Sequence, residues 1–360
     1  ARMVRNLEDV IMMELFQAAA ARLLSWPRVM LLSHDRPDGD ALGSMAGMCA
    51  VLEAIGGRQA TAFVYGPIPA RYAFLQHACR FTMLPTDTAG LEAQFDGILI
   101  VDTCSWAQLE PVANFLRGTR LPKLIVDHHT TRDVLSEPGS DDLYVIDPTA
   151  ASCCGLLFDW CAAMGWPIPP AAAEALFTGI ATDTGWFRFS NTDPRTLRAA
   201  AALVELGVRP DCMYGRAMES YSLARLRLKR AVLDTLELHA GGALACMRMT
   251  AEMLQEAGAT AADAEDLVNE PLSSREVLAS ILLGDLADGR IRVNLRSKSP
   301  EVTGINVDVS AVAAQLGGGG HQRAAGARVT GTMAQVYPVV LEHMLAAIRM
   351  AQATPSQCPS

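Results

Sequence analysis

Short apolar runs alternate with helical segments through roughly the first 200 residues of the chain. The runs are rich in Val, Ile and Leu and stop at polar or turn-forming residues, as buried strands of a parallel sheet do. They are Val29–Ser33, Thr61–Tyr65, Gly97–Asp102, Lys123–Asp127 and Tyr144–Ile146, and the clearest helical segments are Gly43–Ile55, Ala171–Ala181 and Pro194–Leu206, the last with Asp193 as its N-cap. This alternation predicts an α/β fold with an open, mostly parallel, doubly wound sheet.

Acidic and histidine side chains follow these strands or end a helix. Sites in open α/β sheets gather at the carboxyl ends of the strands, so we expect these side chains to converge. Carboxylates mixed with imidazoles suit Mn²⁺, Mg²⁺ or Zn²⁺, and converging carboxylates need a multivalent cation to offset their repulsion. The sequence therefore predicts a metal site. The residues that follow strands or end a helix are Ser33–Ser44, Asp102, Asp127-His128-His129 and Thr182–Gly185.

The pattern changes after Leu206-Gly207. A basic segment with helical spacing follows, and then a strand at Ala243–Thr250 and a hairpin turning at Asp288-Gly289. We expect a smaller α/β domain in this half. The predicted organisation is a domain with the metal site at 1–207, a helical linker at 208–235, the second α/β domain at 236–352 and a mobile tail at 353–360.

The composition limits the classes of function that the chain can have. Half of the 360 residues are hydrophobic and 19% are charged, so the chain can bury large cores. A net charge of −9 argues against a protein that coats long nucleic acid. The nine cysteines form no regular framework and are expected to be buried, reduced side chains in cytosol. With no signal peptide or membrane span in the pattern, we expect a soluble cytoplasmic protein.

Four motifs together resemble those of the DHH phosphoesterases. They are HDRPDGDALGS at 34–44, VD at 101–102, VDHH at 126–129 and TDTG at 182–185. Two motifs of the second half, NLRSK at 294–298 and GGGGHQRAAGA at 317–327, resemble the substrate-binding domain that accompanies the DHH domain. The run DTGWFRFSNT at 183–192 is most similar to the bacterial nanoRNase branch, whose members degrade very short RNA and often dephosphorylate 3′-phosphoadenosine 5′-phosphate (pAp).

The resemblance implies two divalent metal ions that share one ligand. His34, Asp38 and Asp102 would hold one ion, and the other would be held by Asp40, Asp102, His128 and Asp183. Mn²⁺ is the expected ion, with Mg²⁺ and Co²⁺ as alternatives. Two further residues are assigned to catalysis: Asp127 as the acceptor that orients an imidazole, and His129 as the group that faces the substrate phosphate.

The second half supplies the expected substrate contacts. A run of four glycines is typical of a flexible turn, but followed by His321 and paired with Arg296 on a nearby strand it indicates a phosphate cradle. Arg296 can hold a phosphate through two hydrogen bonds. The predicted substrate-binding residues are Arg296, Ser297, Gly318, Gly319, Gly320 and His321.

The predicted function is metal-dependent hydrolysis of very short RNA to mononucleotides, together with dephosphorylation of pAp. We expect that the protein binds neither long duplex nucleic acid nor a membrane. A homodimer is one possible oligomeric state. The alternatives are a cyclic-dinucleotide or linear dinucleotide phosphodiesterase, a RecJ-type exonuclease, an inorganic pyrophosphatase and, in another class, a non-catalytic nucleotide sensor. Loss of a ligand would favour the sensor, and all six ligand positions are filled.

Overall fold

A computed structural model describes residues 7–136, 139–264, 266–285 and 287–353. The chain divides into two compact units, one up to Ser220 and the other from Tyr221. Of the predicted mobile tail, residues 354–360 lie outside the described residues. Among the described helices, none is both long enough and apolar enough to cross a membrane.

The first unit contains a six-stranded sheet whose strands are all parallel, in the order β3-β2-β1-β4-β5-β6. The predicted fold class is therefore confirmed. The strand order reverses between β1 and β4, the position at which open α/β sheets place their ligand sites. The strands are β1 Arg28–Leu32, β2 Gln59–Val64, β3 Phe81–Met83, β4 Gly97–Val101, β5 Lys123–Asp127 and β6 Leu143–Ile146.

Helices cover both faces of this sheet. Alternate residues of β4 enter two different cores, with Leu99 in one and Ile98 in the other, so the strand is buried on both sides. Asp193 caps the sixth helix by accepting from the backbone N–H of Thr196 at 2.7 Å, as predicted. The helices are α1 Leu7–Leu24, α2 Gly39–Ala54, α3 Ala113–Gly118, α4 Cys153–Met164, α5 Pro170–Asp183, α6 Pro194–Glu205 and α7 Pro210–Met218.

Glycines allow α2 and α5 to pack at short range. Gly39, Gly43 and Gly47 recur every four residues and so lie on one face of α2. A Cβ on Gly43 would lie 2.5 Å from the Ala175 carbonyl oxygen, and one on Gly39 would lie 2.4 Å from Thr182 Oγ1. No side chain fits at these separations, so the glycines set the distance between the two helices. That distance brings the start of α2 close to the end of α5.

The second unit contains a mixed six-stranded sheet in the order β11-β12-β10-β9-β8-β7. The β8–β9 pair is parallel and the other described pairs are antiparallel, including the predicted hairpin of β9 and β10. The strands are β7 Glu237–His239, β8 Leu244–Met249, β9 Ala279–Asp285, β10 Arg290–Ser297, β11 Gly319–His321 and β12 Ala324–Thr330; the helices are α8 Leu223–Leu233, α9 Ala251–Ala257, α10 Pro300–Thr303, α11 Val309–Gln315 and α12 Met333–Ala353.

Two parts of this unit differ from the sequence prediction. The basic segment after residue 215 is not one helix, because the chain leaves α7 at Met218 and Ser222 caps the start of α8. The glycine-rich run, predicted to be a phosphate cradle, contains a strand that was not predicted, because Gly319–His321 pairs with β12. Gly and Ala are poor strand formers, and this explains why neither β11 nor β12 was evident from the sequence.

Candidate active site

Asp102 lies at the centre of the candidate site. It follows β4 directly, its side chain is buried, and its backbone N–H donates to the Val126 carbonyl at 3.0 Å. Its φ is 60°, in the left-handed region that few residues other than glycine adopt. Among the described residues, its Oδ1 has no hydrogen-bond partner. A buried carboxylate oxygen without a donor is costly, so this position favours a bound cation.

Side chains that can bind metal surround Asp102 in three overlapping groups, and within each group the ligand atoms lie within 4.8 Å of one another. His34 Nε2 is 3.6 Å from Asp102 Oδ2, and His128 Nε2 is 3.5 Å from Asp102 Oδ1. All six residues predicted to bind metal occur in these groups; that they bind ions stays a prediction. The groups are His34–Asp38–Asp102, Asp40–His128–Asp183 and Asp102–His128–His129.

Asp40 is held at the N-terminus of α4. Its Oδ2 accepts from the backbone N–H of Cys153 at 2.6 Å, and its Oδ1 accepts from that of Cys154 at 2.9 Å. The helix begins there because Ser152 caps it, accepting from the Gly155 N–H at 2.9 Å. Free N–H groups at a helix N-terminus stabilise an anion. The fold therefore fixes both oxygens of this buried carboxylate.

Asp183 and Asp38 occupy helix ends. Asp183 is the last residue of α5, and its Oδ2 lies 3.4 Å from His128 Nε2. Asp38 is the N-cap of α2, and its Oδ1 accepts from the backbone N–H groups of Asp40 and Ala41 at 3.0 and 3.1 Å. Because α2 and α5 pack at short range, the carboxylates at the start of α2 and the end of α5 lie close together.

The two histidines after β5 have different partners. His128 Nδ1 donates to the Ala150 carbonyl at 3.2 Å, which leaves Nε2 facing the carboxylates. His129 Nδ1 lies 2.7 Å from Asp127 Oδ1, and the same oxygen accepts from the backbone N–H of His128 at 2.8 Å. Asp127 is fully buried, whereas the His129 side chain is 37% exposed. Asp127 thus orients the His129 ring and leaves Nε2 available to a ligand.

Burial and neighbouring charges shift the pKa values of the carboxyl and imidazole groups in the site. Burial and the charge of Asp102 raise the pKa of Asp40 to about 8, and burial and the charge of Asp40 raise that of Asp183 to about 8. Burial opposes charging of His128, but Asp102 and Asp40 raise its pKa to about 10. Although burial opposes its ionisation too, His128 and His34 lower the pKa of Asp102 to about 2. In the protein without metal, bound protons neutralise the negative charge of these carboxylates. A divalent cation can take the place of those protons.

The donor set fits hard or borderline divalent ions. The three groups offer carboxylate oxygens and imidazole nitrogens and contain no thiolate. Mn²⁺, Mg²⁺, Co²⁺ and Zn²⁺ accept such ligands, whereas a structural zinc site would be expected to use cysteine sulfur. The orphan Oδ1 of Asp102 is consistent with the same conclusion. The site can therefore hold divalent metal.

In the second unit, two predicted substrate residues lie in one row across the sheet. Arg296 of β10 pairs with Ala324 of β12, and Ala324 pairs with His321 of β11. Residues opposite each other on antiparallel strands point to the same face, so Arg296 and His321 flank the small Ala324 side chain about 10 Å apart. Burial lowers the pKa of Arg296, which still leaves the guanidinium charged near neutral pH.

The predicted substrate role of Ser297 is not supported by its position. Its side chain is buried, and its hydroxyl donates to the Val307 carbonyl at 2.7 Å. Side chains alternate along a strand, so Ser297 points to the face opposite Arg296. Its hydroxyl is used within the fold, and a contact of Ser297 with substrate stays a prediction.

The glycine-rich run is also partly used by the fold. The N–H of Gly318 donates to the Ala313 carbonyl at the end of α11. A Cβ on Gly318 would lie 2.1 Å from the Gly326 carbonyl oxygen, and one on Gly320 would lie 2.6 Å from that of Ala324. These two glycines are therefore required for close packing on β12. Gly319 has open space beside it, so the predicted phosphate cradle is reduced to the exposed edge of β11 around Gly319–His321.

Comparisons with known proteins agree with this geometry. The family model described as "DHH family, N-terminal domain" matches residues 28–180, and that of the DHHA1 domain matches residues 243–352. The bifunctional oligoribonuclease and PAP phosphatase NrnA of Thermus thermophilus is 30% identical over 321 residues, which cover 87% of this chain and 88% of that protein. This chain belongs to the DHH family of phosphoesterases.

One further relative of this DHH protein supports the assignment, and one solved structure shares its fold. The Bacillus subtilis protein named bifunctional oligoribonuclease and PAP phosphatase NrnA is 27% identical over 304 residues, 84% of this chain and 89% of that protein. The crystal structure of an exopolyphosphatase-related protein from Bacteroides fragilis matches with a TM-score of 0.84 over 93% of this chain and 98% of that chain. At 23% identity the latter likeness concerns the fold.

Sequence reasoning missed the residues that support the predicted metal ligands of this DHH protein. They act through backbone atoms: the amides of Cys153 and Cys154 hold Asp40, and the carbonyl of Ala150 holds His128. Backbone donors leave no residue-specific signal. The recurrence of glycine at positions 39, 43 and 47 was visible in the sequence and could have predicted the short α2–α5 packing.

Proposed function

We propose that this DHH protein hydrolyses very short RNA to mononucleotides and removes the 3′-phosphate of pAp, using two divalent metal ions. The observation that carries the proposal is the buried Asp102 carboxylate, which belongs to two ligand groups at the carboxyl edge of the sheet. The substrate class comes from the relatives named oligoribonuclease and PAP phosphatase, which match most of the chain.

In this proposal the two ions share Asp102. His34 and Asp38 complete the ligand set of one ion, and Asp40, His128 and Asp183 complete that of the other. Mn²⁺ is the ion we expect, because imidazole ligands favour it over Mg²⁺. When bound, such a pair of ions would activate a water molecule and stabilise the charge of the phosphoryl group.

His129 is proposed to contact the reacting phosphate. Its hydrogen bond to Asp127 raises its pKa, which favours the protonated ring as a donor. Because Asp127 fixes Nδ1, the free Nε2 is the atom that can donate to a phosphate oxygen or protonate the leaving oxygen. Its partial exposure lets a substrate reach it.

The second unit is proposed to hold the far end of the substrate. Arg296 can bind a phosphate through two hydrogen bonds, with His321 and the Gly319 amide beside it on the same sheet. A net charge of −9 disfavours the binding of a long strand, which depends on many contacts from Lys and Arg to phosphates. We therefore expect a preference for RNA of about two to five nucleotides, on the resemblance and on this charge.

The test is a panel of substrates with added Mn²⁺. Labelled RNA from two to twenty-four nucleotides is compared with pAp and with cyclic dinucleotides, and initial rates are measured. The proposal predicts the highest rates for the shortest RNA, release of mononucleotides, and phosphate release from pAp. Rates that rise with RNA length up to twenty-four nucleotides would contradict the proposal and favour a RecJ-type exonuclease. Hydrolysis of cyclic dinucleotides alone would favour a cyclic-dinucleotide phosphodiesterase.

A further inference from the structure

Two cysteines of the first unit lie in direct contact, away from the metal-binding groups. Cys49 is on α2, and Cys79 follows the 3₁₀ helix Ala70–His77. Their Sγ atoms are 2.8 Å apart, which is closer than the ordinary contact distance of two thiol sulfurs. A disulfide needs a separation of about 2.0 Å, so a movement of under about 1 Å would join them. Among the described cysteines both are free.

A cavity gives solutes access to this pair. Its volume is about 550 Å³, and both cysteines contribute to its wall although each side chain is mostly buried. Arg58 and Arg80 also line it, and Arg58 is held in place by donating to the Leu24 carbonyl at 2.8 Å. Glu53 also lines the cavity and helps to raise the pKa of Cys49, so the two arginines are balanced only in part. The two guanidinium groups can attract an anionic solute to this wall.

The two thiols are not equivalent. Their contact lowers the pKa of Cys79 and raises that of Cys49, so Cys79 ionises first. The backbone N–H of Ala62 also contributes to the lowered pKa of Cys79. By contrast, Cys153 Sγ lies 3.3 Å from the Val126 carbonyl oxygen and Cys154 Sγ lies 3.3 Å from Ser44 Oγ. Those two thiols pack as small buried side chains, as predicted from the sequence.

We propose that Cys49 and Cys79 form a redox modification site that a small disulfide such as oxidised glutathione converts to an intramolecular disulfide. The Cys79 thiolate attacks one sulfur of the small disulfide, whose S–S bond breaks and releases one thiolate. Cys49 then loses its proton to that thiolate and attacks the Cys79 sulfur, which releases the second small thiolate. Two protein thiols are oxidised and one small disulfide is reduced to two thiols, one of which takes up the Cys79 proton.

The test uses the full chain, first reduced and then desalted. It is incubated with oxidised glutathione, free thiols are blocked with an alkylating agent, and peptides are mapped without reduction. The proposal predicts a linked Cys49–Cys79 peptide that disappears on treatment with dithiothreitol. In Cys49→Ser the reaction should stop at a stable glutathionyl adduct on Cys79, because the resolving thiol is missing.

Cys212 provides the matched control, since it is partly exposed and sits alone on α7. It should take up glutathione without forming an internal link. If Cys212 is modified while wild-type protein yields no Cys49–Cys79 link, the oxidant was active and the proposal is wrong. A link that forms only in denaturant would also overturn it. The wild-type peptide map decides the outcome even if Cys49→Ser fails to fold.

Discussion

Asp102 combines a left-handed backbone, burial and an oxygen with no donor among the described residues. Each of these features costs free energy, and such costs persist where the surrounding structure enforces them. Here β4 and β5 enforce them, since the Asp102 N–H donates to Val126 across the parallel pair. The arrangement places one carboxylate between two histidines at the switch point of the sheet. It is the residue on which the proposed chemistry depends most.

We predict that Asp102→Asn removes both metal binding and turnover. Asparagine tolerates the left-handed backbone, so the fold is retained while the shared negative charge is lost. The loss should be at least about 10³-fold in rate, since metal catalysis is worth several kcal/mol. The loss of turnover is measured as the initial rate on a dinucleotide, and the loss of metal binding is measured as metal content by mass spectrometry. Asp141→Asn is the control, because that side chain is 88% exposed and should leave both unchanged. Normal metal content in Asp102→Asn would contradict the assignment.

We also predict that Mn²⁺ binding releases protons, from Asp40 and Asp183 below about pH 8 and from His128, whose pKa is raised to about 10, at higher pH as well. Asp40 and Asp183 have pKa values raised to about 8, so in the metal-free protein both hold protons at lower pH. A metal ion must displace those protons, and the affinity for Mn²⁺ should rise as pH increases towards 8. Titration calorimetry in buffers of different ionisation enthalpy measures the protons released. An affinity independent of pH between 6 and 8, with no proton release, would show that these carboxylates are not displaced by metal.

At the scale of elements, the α2–α5 contact holds the site together. We predict that Gly43→Ala destabilises the first unit by about 1–3 kcal/mol, because its Cβ would lie 2.5 Å from the Ala175 carbonyl oxygen. Gly215→Ala in α7 is the matched control: it meets Glu219 Oε2 only at 3.7 Å and should stabilise by about 0.5–1 kcal/mol. All five tryptophans precede Ser220, so tryptophan fluorescence during urea unfolding reports this unit alone. Equal effects of the two substitutions would refute the packing argument.

The elements that carry the predicted ligands were predictable, because β1, β4 and β5 each contain a continuous apolar run that ends one or two residues before His34, Asp102 and His128. Strand pairing itself then brings those side chains together. Elements made of small residues were not predictable: β11 begins with two glycines, and β12 begins Ala-Ala-Gly-Ala. Their pairing with β10 comes from the rest of the sheet rather than from local preference. The buried position of Ser297 follows from that pairing and was missed for the same reason.

For the whole molecule, we predict that the two units have separable roles. Arg296→Ala should mainly raise KM for short RNA and leave the metal content unchanged. The rise in KM should correspond to a loss of roughly 1.5–3 kcal/mol of binding free energy, the contribution of a charge-assisted contact. His129→Ala should mainly lower kcat, because it removes the group beside the reacting phosphate. Steady-state kinetics on a trinucleotide distinguishes the two effects.

A small chromogenic phosphodiester, which has no second phosphate for Arg296 to bind, is the control for this division. Its hydrolysis should be nearly insensitive to Arg296→Ala and strongly reduced by His129→Ala. Equal damage by both substitutions on both substrates would mean that the roles of the two units are not separable. Arg290→Ala is a suitable reference variant, since Arg290 is on the same strand as Arg296 and its guanidinium is paired with Asp288 in the hairpin turn.

Removal and return of the metal tests whether turnover depends on two ions held by Asp102. The full chain is treated with a chelator, desalted, and titrated with Mn²⁺ while the initial rate on a dinucleotide is followed. We expect no turnover without metal, recovery that is complete only when two equivalents are bound, and no recovery in Asp102→Asn. Full activity of the wild-type protein in excess chelator would rule out a two-metal site.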